Sequence, residues 1–149
     1  MKIAIGADHR GIKPKQSIVQ YLIRKGFSVV DYGTHSPSSV DYPDIAFDVA
    51  QAVASRKARF GILICFTGLG MSVAANKVTG VRAALCTSPR VARMARAHNN
   101  ANVLVLPGYL GYNAGVQSII RMFFKTPFEG GRHARRVKKI TRYEKSVRS

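Results

Sequence analysis

Apolar residues follow two alternating patterns along the chain. Short runs that are almost unbroken by polar residues occur at residues 2–6, 27–31, 60–65, 82–86 and 102–106. Such runs are typical of strands that are buried on both faces. Between them, apolar residues recur three or four positions apart, which is the spacing of one helix face. The pattern therefore predicts five strands that alternate with helices.

Turn and cap residues place the predicted helices between these strands. Pro43 and Pro89 each fall in what would be the first turn of a helix, where proline is tolerated. The break Gly130-Gly131 separates the last two helices. Helices are predicted over approximately residues 12–23, 43–53, 71–77, 89–97 and 114–125, with a basic helix from about residue 132. We expect the tail beyond it to be partly disordered.

Strands that alternate with helices of this length form βαβ units, because parallel strands need a crossover connection. The predicted fold class is therefore α/β, with a five-stranded parallel sheet between two helix layers in an α/β/α sandwich. A chain of 149 residues suits one domain, so we expect residues 1–149 to form a single domain. The chemistry of such a sheet normally lies beyond the carboxyl ends of its strands.

Composition narrows the class of protein further. No stretch approaches the roughly 18 unbroken apolar residues of a membrane span, and Asp8 and His9 stand where a secretion signal would be apolar. Cys65 and Cys86 lie in apolar segments without metal-ligand spacing, so neither a disulfide framework nor a zinc site is indicated. We therefore expect a cytoplasmic protein that does not bind membranes.

Charge is distributed very unequally along the chain. The formal net charge is +17, no Asp or Glu occurs between Val49 and Phe128, and residues 132–148 carry eight Lys or Arg. Such a surplus suits nucleic acid, an anionic substrate or simply a basic host proteome. Charge alone does not distinguish these three interpretations.

A cysteine and two glycines follow the third predicted strand. Cys65 ends this strand, and Gly68 and Gly70 precede a helix, which exposes backbone N–H groups that can hold an anion. A helix N-terminus also favours the thiolate form of a cysteine. Cys65 is therefore a candidate base or nucleophile, although it could equally be a small buried apolar residue, as we expect for Cys86. The glycine pattern does not match a nucleotide-binding loop.

Histidines and arginines supply further candidates. Asp8 and His9 follow the first strand, whereas His98 ends the helix before the fifth strand and so should face away from the crevice of its own subunit. Arg132 and Arg136 are four residues apart, which puts them on one helix face that suits a phosphate. The histidines could instead be structural, and the basic helix could be merely solvated.

Several ordered motifs together resemble one known family. They are Gly6-Ala7-Asp8-His9-Arg10-Gly11, Ser39-Val40-Asp41-Tyr42-Pro43, the segment 65–77, Arg82-Ala83-Ala84-Leu85-Cys86 and Glu129-Gly130-Gly131-Arg132-His133. From residue 1 to about 140 they resemble ribose-5-phosphate isomerase B, of the ribose/galactose isomerase family. The resemblance implies a Rossmann-like domain that interconverts ribose 5-phosphate and ribulose 5-phosphate in the pentose phosphate pathway. It also implies a homodimer or dimer of dimers with active sites shared between subunits.

The same resemblance implies a role for individual residues. Cys65 matches the proton acceptor, and His98 matches the residue that helps to open the sugar ring. The matching substrate-binding positions are Asp8, His9, Phe66, Thr67, Gly68, Leu69, Gly70, Asn99, Arg132 and Arg136. Aldose to ketose conversion needs a base, and N–H donors for the enediolate oxygen, so neither a metal nor a cofactor is expected.

One position departs from the family pattern. Tyr109 stands where many relatives have an arginine, so one substrate contact is altered or missing. Phe66 stands where a smaller residue is common, and an isomerase of six-carbon sugars such as galactose 6-phosphate or allose 6-phosphate is the nearest alternative.

A nucleic-acid-binding module built on the basic helix is a distant alternative, because the chain lacks a binding motif and an aromatic-rich sheet surface.

Overall fold

A computed structural model describes residues 1–148 of the protein. The strands are β1 (Lys2–Ala7), β2 (Ser28–Asp31), β3 (Phe60–Cys65), β4 (Ala83–Leu85) and β5 (Val103–Pro107). The helices are α1 (Ile12–Arg24), α2 (Tyr42–Ala54), α3 (Leu69–Ala75), α4 (Pro89–Asn99), α5 (Ala114–Lys125) and α6 (Gly131–Ser146). The predicted alternation is confirmed, and Ser149, in the tail expected to be disordered, lies outside the described residues.

The five strands form one parallel sheet in the order β2-β1-β3-β5-β4. From β1 the chain adds β2 on one side and β3 on the other, so the direction of sheet growth reverses between β1 and β3. Such a switch point opens a crevice beyond the carboxyl ends of the two strands. The predicted α/β fold with a five-stranded parallel sheet is therefore confirmed, and the strand order locates its crevice.

Both faces of the sheet are covered by helices. All six residues of β3 are buried, and successive side chains point to opposite faces. Ile62 and Ile64 pack in the core with α1, α4 and α5, whereas Leu63 and Cys65 pack with α2 and α3. Burial on two faces explains why the strand appears in the sequence as an unbroken apolar run. No helix within residues 1–148 combines the length and apolar character needed to cross a bilayer.

Some element boundaries differ from the predicted ones for identifiable reasons. The helix α3 begins at Leu69 rather than residue 71 and ends at Ala75, because the Asn76 side chain bonds to the chain on both sides of the following turn. The helix α4 continues to Asn99, two residues beyond its predicted end, and stops where Asn100 adopts a left-handed φ of 48°. His98 therefore lies within the last turn of α4.

Candidate active site

The carboxyl ends of β1 and β3 carry the first part of the candidate site. Asp8 follows β1, and its backbone N–H donates to the Ile64 carbonyl of β3 at 3.1 Å. The paired register of the two strands therefore puts Asp8 beside Cys65. Both residues are almost entirely buried, with 7% and 5% of their surfaces exposed. The carboxylate Oδ1 of Asp8 accepts a hydrogen bond from the backbone N–H of Arg10 at 3.0 Å, which fixes its orientation.

The segment 66–70 turns the chain from Cys65 into α3. Gly68 has a φ of 79°, and a Cβ at this position would lie 2.5 Å from Leu85 Cδ1, so only glycine fits. The Leu69 N–H donates to Thr67 Oγ1 at 3.3 Å. Because α3 starts at Leu69, the next N–H groups of its first turn have no acceptor within the helix. The loop thus offers backbone donors directly after the Cys65 thiol.

Tyr42 belongs to this part of the site, although it is not among the site residues predicted from the sequence. A Cβ on Gly70 would lie 2.5 Å from Tyr42 Cζ and 2.9 Å from its hydroxyl oxygen, so the tyrosine packs directly on the glycine loop. Tyr42 begins α2 and is partly exposed. The signal that could have identified it is its place in the Asp41-Tyr42-Pro43 motif, at a helix start.

Two aromatic residues and an arginine form the mouth of the crevice. The rings of Phe66 and Tyr109 meet edge to face with 6.1 Å between their centroids, and the Tyr109 N–H donates to the Phe66 carbonyl at 3.3 Å. The Arg10 guanidinium lies over the Phe66 ring at 5.2 Å from its centroid. Phe66 and Tyr109 are 49% and 58% exposed. Both aromatic side chains are therefore presented to solvent just after the carboxyl ends of β3 and β5.

His9 lies between the crevice and the loop that precedes α2. Its Nδ1 accepts a hydrogen bond from the Val40 backbone N–H at 3.4 Å. A neutral imidazole that accepts at Nδ1 carries its proton on Nε2. His9 thus has a donor available for an anionic ligand while its ring is held by the backbone.

A second group of predicted residues lies at the junction of α4 and α6. The rings of His98 and His133 are stacked, with 4.2 Å between centroids and 8° between planes. The Glu129 carboxylate lies 3.9 Å from His98 Nε2 and 3.7 Å from His133 Nε2. The Glu129 backbone N–H donates to the Ala97 carbonyl at 3.0 Å, which ties the start of α6 to the end of α4.

Several titratable and charged groups lie close together at this junction. Burial lowers the pKa of His133, and positive charge on His98 and Arg132 lowers it further, while Glu129 acts in the opposite direction. Potential ligand atoms of His98, Glu129 and His133 all lie within 4.8 Å of one another. The two rings are parallel, however, so their nitrogen lone pairs lie in separate planes and do not converge on one ion. The geometry therefore does not suit a metal ion.

Asn99, Arg132 and Arg136 belong to the same junction. The arginines are exposed on the first turns of α6, and the Asn99 carbonyl accepts from Arg82 Nε at 3.0 Å. Since α4 runs antiparallel to the strands it connects, its last turn lies at the amino-terminal end of the sheet. With about 3.3 Å per residue, β3 separates this end from Cys65 by roughly 16 Å. Within one chain, the predicted residues therefore form two separate groups.

The second cysteine has a different environment. Cys86 is completely buried, and burial raises the pKa of its thiol to about 12. Its Sγ donates to the Ala84 carbonyl at 3.5 Å. A thiol of this kind stays protonated at neutral pH, as expected for a packing residue.

Comparisons with known proteins agree with these observations. The model of the ribose/galactose isomerase family matches residues 3–140. The ribose-5-phosphate isomerase B of Escherichia coli is 43% identical over 143 residues, which cover 96% of each chain. The solved structure of the Clostridium thermocellum ribose-5-phosphate isomerase B is 49% identical, covers 99% of both chains and superposes with a TM-score of 0.96.

A third relative was solved with a sugar phosphate. The Mycoplasma genitalium ribose-5-phosphate isomerase B with bound ribulose 5-phosphate is 47% identical, with a TM-score of 0.92, over 97% of this chain and 96% of that one. Matches of this extent in both sequence and fold confirm the resemblance seen in the motifs. The chain belongs to the ribose/galactose isomerase family and is an aldose–ketose isomerase.

Proposed function

We propose that the protein interconverts D-ribose 5-phosphate and D-ribulose 5-phosphate, with Cys65 as the base. The observation that carries the proposal is the position of Cys65, which ends the central strand β3 beside Asp8 and directly before the glycine loop. The relative from Mycoplasma genitalium, whose solved structure contains ribulose 5-phosphate, has the same fold. Base, N–H donors and a sugar phosphate then belong to one crevice.

The chemistry transfers protons and needs no redox partner. The Cys65 thiolate removes the C2 proton of the open-chain aldose, the C–H electron pair forms the C1–C2 double bond, and negative charge moves to O1. Backbone N–H groups of residues 66–70 stabilise that oxygen. Cys65 then returns its proton to C1 as the C2 carbonyl forms, and a second proton moves from O2 to O1. Cys86 is excluded from this role because its thiol stays protonated.

We further propose that the active site is shared between two subunits of a homodimer. His98 assists ring opening, and Asn99, Arg132 and Arg136 bind the substrate, the arginines at its phosphate. The separation of these residues from Cys65 within one chain supports the proposal, because neither group alone contains a base, a ring-opening acid and a phosphate site. In a two-fold dimer, each subunit can supply what the crevice of its partner lacks.

The mouth of the crevice supports a five-carbon rather than a six-carbon substrate. Phe66 and Tyr109 occupy it with an edge-to-face pair that the Arg10 guanidinium covers. An additional carbon between the reacting centre and the phosphate needs room in this region. Bulky side chains at the entrance favour the shorter sugar by steric exclusion.

The test is a direct assay of substrate choice with matched cysteine variants. We expect kcat/KM to be highest for ribose 5-phosphate, compared with allose 6-phosphate and galactose 6-phosphate. Cys65→Ala should lower kcat by about 10³-fold, because a positioned base contributes on that order. Cys86→Ala is the control and should keep the wild-type kcat. A preference for either hexose phosphate, or an active Cys65→Ala variant with a normal circular dichroism spectrum, would refute the proposal.

A further inference from the structure

A basic cavity lies at the amino-terminal end of the sheet, away from the crevice. Its volume is about 820 Å³, within the range of small-molecule sites. Its walls are formed by the start of β1, the turn after α2, and the segments flanking β4 and β5. Six of its lining residues carry positive charge: Lys2, Arg56, Lys57, Arg59, Arg82 and Arg96. None of these residues belongs to the proposed isomerase site.

The positive charges that line the cavity are not offset by acidic residues in its lining. In the described part of the chain, none of the residues that line it is Asp or Glu. Burial lowers the pKa of Arg96, and the positive charges of Arg59 and Arg82 lower it further. Glu144, which accepts from the Gly80 N–H at 3.0 Å, acts on Arg82 in the opposite direction.

Arg96 is built into the cavity rather than lying on its surface. The residue is only 7% exposed, and its Nη1 donates to Asn100 Oδ1 at 2.9 Å and to the Ala101 carbonyl at 2.6 Å. Its guanidinium lies over the Phe60 ring at 4.8 Å from the centroid. Its Nε is buried without a hydrogen-bond partner. Arg96 therefore puts a positive charge that the protein holds in place into the wall of the cavity.

The turn after α2 adds a second observation. Arg56 follows the C-cap Ser55 and has a φ of 61°, in the left-handed region where glycine is usual at the end of a helix. An arginine is uncommon in this conformation. With Lys57 and Arg59, it directs three positive charges of one short segment to the same cavity.

We propose that this cavity binds a small anion that contains two or three linked phosphate groups, either an inorganic polyphosphate or the phosphate chain of a nucleotide. Six cations exceed what a single phosphate can neutralise, whereas a chain of phosphates can contact several guanidiniums at once. A single-stranded nucleic acid fits less well, because such ligands stack their bases on accessible aromatic rings and Phe60 is buried.

Isothermal titration calorimetry with inorganic tripolyphosphate tests the proposal. We expect one saturable site per chain. The double variant Arg56→Gln/Arg59→Gln should raise Kd by about tenfold to hundredfold for each charged hydrogen bond that is lost. The matched control Arg24→Gln/Arg90→Gln removes the same charge from exposed helix positions outside the cavity and should change Kd little. Both double variants should keep the wild-type kcat/KM on ribose 5-phosphate, which shows that they are folded.

A second set of titrations separates the cavity from the isomerase site and identifies the source of the phosphates. Arg136→Ala should leave tripolyphosphate binding intact, because this residue does not line the cavity. Tighter binding of ATP than of tripolyphosphate would indicate a nucleotide, and equal binding an inorganic polyphosphate.

Four results would overturn the proposal. The first is the absence of saturable tripolyphosphate binding, and the second is an equal loss of affinity in both double variants. The third is a loss of affinity confined to Arg136→Ala. The fourth is an RNA oligomer of about ten nucleotides that binds more tightly than either phosphate compound.

Discussion

The two ends of the parallel sheet carry different kinds of polar groups. At the carboxyl end, the centre of the crevice combines a buried thiol and a buried carboxylate with the backbone donors of a glycine loop. At the amino-terminal end, the residues are long and charged, with the stacked pair His98 and His133 and the basic cavity next to Arg96. Backbone donors hold a transition state at fixed geometry, whereas long cations attract and retain anions.

The difference shows how one small chain can present two kinds of polar surface. Backbone N–H groups cannot be displaced without unfolding the loop, which suits the reacting oxygen of the sugar. Arginines and histidines reach outward from helix ends and suit phosphates, ring oxygens and protons that arrive from elsewhere. If the isomerase site is shared, the amino-terminal end of one subunit completes the carboxyl end of its partner.

The largest effect is expected from mixing two inactive variants, which tests whether the two ends cooperate across subunits. Cys65→Ala and Arg136→Ala should each have very low activity at a substrate concentration near the wild-type KM. Unfolding and refolding them together at equal concentrations should restore activity to about a quarter of the wild-type value, because half of the dimers are mixed and each of these has one intact site.

The control for this mixing is a pair of variants from the same end of the sheet. Cys65→Ala mixed with Asp8→Asn should restore nothing, since each crevice then lacks one of its own residues. If the first mixture also stays inactive although mixed dimers are shown to form, Cys65 and Arg136 serve the same site of one chain, and the comparison between the two ends fails.

A smaller effect is expected from His98→Asn, which sharpens the comparison by separating ring opening from enolisation. Loss of a proton donor should lower kcat on ribose 5-phosphate by about 10²-fold. The loss should be much smaller on an aldotetrose 4-phosphate, whose phosphorylated O4 cannot close a furanose ring. Equal losses on the two substrates would assign His98 to a step other than ring opening.

The smallest effect is expected from Phe66→Gly at the mouth of the crevice. Removing the ring opens space and releases the contacts with Tyr109 and Arg10. We expect the ratio of kcat/KM for allose 6-phosphate to that for ribose 5-phosphate to rise by about tenfold, which is the usual scale for steric discrimination in a pocket. Tyr112→Phe is the control, since Tyr112 packs against the core rather than the mouth. An unchanged ratio would show that the mouth does not select the sugar.

Much of the fold could be predicted from local pattern. The unbroken apolar residues of β3 and the three-to-four spacing in α1 identified a buried strand and an amphipathic helix, and the alternation of such elements implied a parallel sheet. The end of α4 was placed two residues too early, because no local signal showed that Asn100 would adopt the left-handed φ that ends it. Boundaries of this kind depend on contacts rather than propensity.

Most residues of the candidate site were predicted from the sequence, but the contacts between them were not. Cys65, Asp8 and the glycine segment were recognisable because glycines and polar residues at strand ends have a physical use in an α/β fold. Tyr42 and His133 were not included among the site residues. Each contacts a site residue that is distant in sequence, Gly70 for the tyrosine and His98 for the histidine.

The sequence by itself determined the α/β class, the family and the excess of positive charge. The tertiary structure alone decided the strand order β2-β1-β3-β5-β4, the pairing that sets Asp8 beside Cys65, and the gathering of arginines into one cavity. The physical reason is range: hydrophobic periodicity and turn chemistry act over a few residues. Strand neighbours and charge clusters arise from packing between segments that are tens of residues apart in the chain.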